Sequence, residues 1–238
     1  GLSRFGGEIY IGYEDGTSAY RDSFGRTSKA HEYLTKPPLK EGPSPDAPCG
    51  CGGGLAFRDC CADIPTRMRP SWRVMSIRER NLALVRGIED VLRLNDEKTT
   101  WQDVRRNLSD DQVRRIHEVY AALWPTDTRL IDLLPSPQGK RSRALFLGMT
   151  DARTLSIRVT GMLAYVDELI VVHPFVNPNA VRPNFSPIHQ PAKFRAQTLP
   201  NVFALLVLEP HIRAGRVHLV PDPLDYDPGF RDEIMAIT

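Results

Sequence analysis

All four cysteines of this 238-residue chain lie within thirteen residues, as Cys49-Gly-Cys51, eight residues, then Cys60-Cys61. Few sequence features restrict a backbone so tightly. Neither Cys-x-Cys nor adjacent Cys-Cys holds its own members in favourable bridging geometry, and two cross-paired disulfides would close a segment too short to gain much from them. Four thiolates in this spacing suit a tetrahedral ion with soft-ligand preference, and Zn2+ is the ion expected. The predicted ligands are Cys49, Cys51, Cys60 and Cys61. With every coordination position taken by protein sulfur, no place is left for water or substrate, so the ion is expected to be structural.

The segment around the ligands reads Pro48-Cys49-Gly50-Cys51-Gly52-Gly53-Gly54-Leu55-Ala56-Phe57-Arg58-Asp59-Cys60-Cys61. It resembles the SEC-C motif, the small zinc finger at the C-terminus of the bacterial preprotein translocase motor and in many other bacterial proteins. The resemblance covers about fourteen residues. It implies zinc on the four cysteines, an aromatic cover at Phe57 and a basic residue at Arg58. Gly53 stands where the family has Ser, and Ala56 where it has Lys. The second departure removes charge from the basic surface through which the family meets its partners. Glycines at 52 and 54 allow the chain to turn back around the ion, since glycine tolerates positive φ.

Composition sets outer bounds. With 41% hydrophobic and 25% charged residues the chain can bury a core in one or two domains. A net charge of +2 gives no global electrostatic case for nucleic acid or membrane. No apolar run approaches the roughly 20 residues that span a bilayer, and no signal-peptide pattern opens the chain. Together with reduced, metal-spaced cysteines this points to the cytoplasm. The chain opens Gly1-Leu2-Ser3 and stops at Ile237-Thr238 inside a helical pattern, as a piece of a longer protein would.

The expected class is α/β, or α+β taken over the whole chain. Residues 1–46 comprise a strand hairpin, with Ile9, Ile11 and Tyr13 alternating before the turn Glu14-Asp15-Gly16, and a proline-rich linker over 36–48. The knuckle occupies 47–63. A small helical bundle is expected over 70–135. Ser76 with Glu79 and Ser109 with Gln112 mark capping boxes, and Ile77, Leu84, Val85, Ile88 and Val91 form an apolar stripe. Arg105, Arg106, Arg114 and Arg115 invite a nucleic-acid reading. Interleaved Asp103, Asp110 and Asp111 argue instead for a solvated face.

Residues 140–238 alternate as β-α-β-α-β, the pattern of a layered segment around a parallel sheet. Strands are expected at 143–150, 168–172 and 217–221. The stretch 101–222 also resembles a family of bacterial proteins that carry the finger upstream.

Ligands of open parallel sheets gather at the carboxyl ends of the strands. That rule collects Asp151, His173 and Asp222 as candidate catalytic residues, with the polar loop 175–190 beside them. Against it, His173 before Pro174 can simply end a strand, and the asparagines of the loop are ordinary turn formers. GxGxxG, P-loop, GxSxG and HExxH are all missing. Two functional classes follow. One is a zinc-binding protein whose knuckle serves stability or contact with another protein or another domain of a longer chain. The other is a metal-dependent hydrolase or nuclease of a bacterial defence or regulatory system, working at the sheet's carboxyl edge.

Overall fold

The computed structural model describes residues 9–12, 18–21, 31–37, 43–66, 69, 72–134, 142–146 and 152–223. Strands β1 (Ile9–Gly12) and β2 (Ser18–Arg21) pair antiparallel, Ile9 opposite Arg21, as the alternating pattern implies. Helices α1 (Ile77–Leu92), α2 (Trp101–Asn107), α3 (Asp110–Leu123) and the single turn α4 (Leu130–Leu133) follow. The α/β part runs β3 (Arg143–Phe146), α5 (Ala152–Met162), β4 (Glu168–Val172), α6 (Pro191–Arg213) and β5 (Val217–Val220). The expected strand 143–150 is observed over Arg143–Phe146, and positions 147–150 lie outside the described residues.

The sheet is parallel in the order β3-β4-β5, with Leu169 opposite both Ala144 and Val217. Strand β4 is buried along its whole length because neighbours flank it on both sides. Its unbroken Leu-Ile-Val-Val run is what a strand covered on both faces requires. The two outer strands differ. On β3 Leu145 is 59% exposed, whereas every residue of β5 is buried.

Strand β5 owes this cover to α1 and α6. Asn81, fully buried, donates from Nδ2 to Leu219 O at 2.8 Å and so satisfies a carbonyl of the outer strand. Asn81→Ala should strand that carbonyl in the interior and lower stability by about 2 kcal/mol. Urea denaturation measures this, and a loss well below 1 kcal/mol would mean that the edge is satisfied in another way.

Each of the first three helices begins on a capping box: Ser76 with Glu79, Thr100 with Asp103, and Ser109 with Gln112. In each, the cap hydroxyl accepts an N3 amide while the N3 side chain reaches back to the cap amide. The C-terminus of α3 is held by Arg80 of α1. Its guanidinium donates to Leu123 O at 2.6 Å and lies over the Trp124 ring.

The described residues of 72–134 and 142–223 share one hydrophobic core. Helices α1 and α3 pack on each other and on α6, α1 also meets β5, and α5 lies against α6. Ile77, Leu84, Ile88, Ile116 and Tyr120 are buried in the same cluster as Leu169, Leu205, Leu208 and Leu219. The knuckle has a separate small cluster made of Cys49, Cys51, Cys61 and Trp72, with Phe57, Cys60 and Ile64 against it. Residues of the proline-rich arm lie along these units. Thr35 bridges Val74, Pro48 bridges Ala56, and the carbonyls of Pro45 and Ala47 accept from Arg58 N and Phe57 N. Among the described residues no helix is long and apolar enough to cross a membrane.

Candidate metal centre

The knuckle is built from two short turns that bring both cysteine pairs to one point. The first folds back after Cys49: Gly52 N donates to Cys49 O at 3.0 Å and Cys49 N to Leu55 O at 2.9 Å. Gly52 and Gly54 take φ of 73° and 82°, the left-handed region where a side chain is strained, so the glycine run is a backbone requirement. At Gly53 a Cβ would lie 3.1 Å from Cys51 Sγ and 3.7 Å from Cys60 Sγ, close beside the sulfur cluster. The second turn is a 3-10 segment, Phe57–Asp59, from which Cys60 N and Ala62 N both donate to Phe57 O at 3.1 Å.

The four sulfurs that result lie within 4.8 Å of one another and could hold a metal ion. Cys51 and Cys60 Sγ are 3.4 Å apart, and Cys60 and Cys61 Sγ are 3.8 Å apart. A tetrahedron with metal–sulfur bonds of about 2.3 Å has edges of about 3.8 Å, close to these two separations. These separations exceed the roughly 2.05 Å of a disulfide, and all four cysteines are free. Cys49, Cys51 and Cys61 are buried and Cys60 partly so.

Thiols this close titrate as a unit. Cys49 is held well below the usual thiol range because Cys51 first, then Cys60 and Cys61, hydrogen-bond to its sulfur. Those three are pushed up, each chiefly by its hydrogen bond with Cys49 and further by burial. Thiolates this close repel one another, whereas a divalent cation among them lets all four ionise. Gly53 N also donates to Cys51 Sγ at 3.3 Å, an amide aimed at a developing thiolate. Phe57, the expected aromatic cover, packs edge to face with Trp72 at 5.3 Å in the same cluster. Arg58 instead pairs with Asp46 at the surface.

The knuckle is docked on the rest of the fold. Gly215, in the turn from α6 to β5, has φ of 70°, and a Cβ on it would lie 2.2 Å from Gly53 O. On the other side Arg78 of α1 donates from Nη1 to Gly52 O at 3.0 Å and from Nε to Arg213 O at 2.9 Å. Lys36 Nζ reaches Gly50 O at 2.6 Å and Glu79 Oε2 at 2.8 Å, which ties the knuckle to the α1 capping box.

The carboxyl edge of the sheet is arranged differently. His173, directly after β4, is 2% exposed, with Tyr120 of α3 4.7 Å and Phe175 5.4 Å from its ring. Its Nδ1 accepts the Phe175 amide at 3.3 Å, which leaves the proton on Nε2, a buried position without a hydrogen-bond partner among the described residues. Burial, and secondarily His117, lowers its pKa to about 3. Asp222 is half-buried beyond β5, and Asp151 lies outside the described residues. In the loop, Asn177 donates to Trp124 O and accepts from Asn179 N, while Arg182 and His189 are exposed. Among the described residues the cysteine cluster is the one group of three or more His, Cys, Asp or Glu side chains placed to hold an ion. Of the bundle's arginines, Arg114 pairs with Asp111 and Glu118, and Asp110 pairs with Arg195 of α6.

No protein-family model matches the chain, and comparison with curated proteins and with solved structures returns no match.

Proposed function

We propose that the chain is a zinc-binding protein in which an SEC-C-like knuckle serves structure and contact. One Zn2+ on Cys49, Cys51, Cys60 and Cys61 closes residues 47–64 and holds them against α1 and the α6–β5 turn. The composite face so formed meets another protein, or a further domain of a longer chain. What carries the reading is a set of four free sulfurs within 4.8 Å of one another in a fully protein-supplied set. Four sulfur ligands leave no open coordination position, which favours a structural ion over a catalytic one.

Metal analysis of the purified chain should return one zinc per molecule. Cobalt substitution should give the strong thiolate charge-transfer and visible bands of a tetrahedral four-sulfur site. A chain that purifies without metal and gives no such bands with cobalt would end this reading.

A further inference from the structure

A Zn2+ with four thiolates carries two net negative charges, and a partly buried site must offset them or bind its ion weakly. The structure places three cations at backbone carbonyls next to the ligands. Lys36 Nζ sits on Gly50 O, between Cys49 and Cys51. Arg78 Nη1 sits on Gly52 O, directly after Cys51. Arg69 Nη2 donates to Ala62 O at 3.2 Å, directly after Cys61, with its guanidinium 4.6 Å from the Trp72 ring centre and 5.2 Å from that of Phe57.

Lys36 has a counter-ion in Glu79. Among the described residues Arg69 and Arg78 have no carboxylate partner, although both are held in place, Arg69 by two aromatic rings and Arg78 by the end of α6. Both guanidinium groups are thus fixed at the knuckle of four sulfurs, on carbonyls that directly follow ligand cysteines, with no described acid there to neutralise them.

We propose that Arg69 and Arg78, with Lys36, are positioning residues that supply the counter-charge of the metal–thiolate centre. Metal retention is thereby coupled to docking of the knuckle on α1 and α6. The inference rests on the reading of the cysteines as a metal site. Residues that orient or offset ligands from outside the coordination sphere typically contribute about 10–100-fold in metal affinity.

The test compares charge-removing with charge-keeping variants: Arg78→Gln with Arg78→Lys, and independently Arg69→Gln with Arg69→Lys. The rate of zinc transfer to an excess of a chromophoric chelator is measured well below the melting temperature. Far-ultraviolet circular dichroism in excess zinc verifies that each variant is folded. The Gln variants should release zinc at least about 10-fold faster than the wild type, and the Lys variants should stay within about 3-fold of it. A cobalt-loaded sample should show altered charge-transfer bands in the Gln variants, which a loss of packing far from sulfur would not produce.

Equal release rates across the series, or equal acceleration in the Lys and Gln variants, would overturn the proposal while leaving the metal site itself in place. A wild type with neither zinc nor the cobalt bands would overturn the metal reading, and this inference with it.

Discussion

Replacing Cys60 by Ser is expected to abolish stoichiometric zinc and to melt residues 47–64, while the main core stays folded. A hard hydroxyl is a poor substitute for a thiolate on zinc, and three sulfurs leave the ion open to water and to competing chelators. The knuckle has little else to hold it. Its apolar cluster consists of the four cysteines themselves with Trp72, Phe57 and Ile64, and its backbone is a string of turns with Gly52 and Gly54 at positive φ. Metal binding in units of this size contributes on the order of 10 kcal/mol to ordering them.

The main core is independent of the cysteines: its buried members run from Leu34 and Ile77 to Val220 and include none of them. Hydrogen exchange should therefore show protection lost over 47–64, and weakened at the α1 N-terminus and the α6–β5 turn, where Arg78 and Gly215 touch the knuckle. Amides of α3, β4 and β5 should keep theirs. Global unfolding of Cys60→Ser at room temperature would show that the ion staples the whole fold. Unchanged zinc content would remove Cys60 from the ligand set.

How far the sequence foretold these features depends on how local the cause is. The four-cysteine cluster was legible because spacing along thirteen residues brings the sulfurs together. Two capping boxes were legible because serine and an N3 Glu or Gln stand three residues apart. The third, Thr100 with Asp103, uses a shorter acid and was missed as a box. The buried strands β4 and β5 were legible as apolar runs.

Docking of the knuckle was not, because its parts are far apart in the chain. Gly215 reads in sequence as the stop after a helix, and only the fold brings it against Gly53 O. Arg78 looks like an ordinary residue in the first turn of α1 until Gly52 O and Arg213 O are seen on it. His173 shows the same limit at the sheet's carboxyl edge. The strand-end rule looks only along the β-α-β-α-β segment, whereas Tyr120, which lies on the His173 ring, comes from α3, more than fifty residues earlier.

That enclosure has a measurable consequence: the protein should lose about 4 kcal/mol of stability between pH 7 and pH 5, a loss that carboxylates alone would not give in that window. Among the described residues His117 and His173 are buried without a carboxylate on either ring. His117 donates from Nδ1 to Val113 O at 2.9 Å and packs against Phe175 and Phe194. His173 uses Nδ1 as an acceptor for Phe175 N, so protonation there would set two N–H groups against each other. Burial lowers His117 to about 4, and burial with the neighbouring His117 lowers His173 to about 3.

The sign follows from the direction of these shifts. Above the unfolded value near 6.5 both states are neutral and the two histidines contribute nothing. As pH falls below it, the unfolded chain takes up protons that the folded chain refuses. Stability then drops by about 1.4 kcal/mol per pH unit per histidine, until the folded values are reached near pH 4 and pH 3. Between pH 7 and pH 5 each histidine should account for about 2 kcal/mol. For a chain of this size the sum lowers the melting temperature by roughly 8–16 °C. Urea titrations at the two pH values read it directly. His173→Gln should reduce the difference to about 2 kcal/mol, because a glutamine cannot charge in either state. A wild type equally stable at both pH values would mean that these imidazoles reach water or an acid in the folded state, and that the carboxyl edge of the sheet is open.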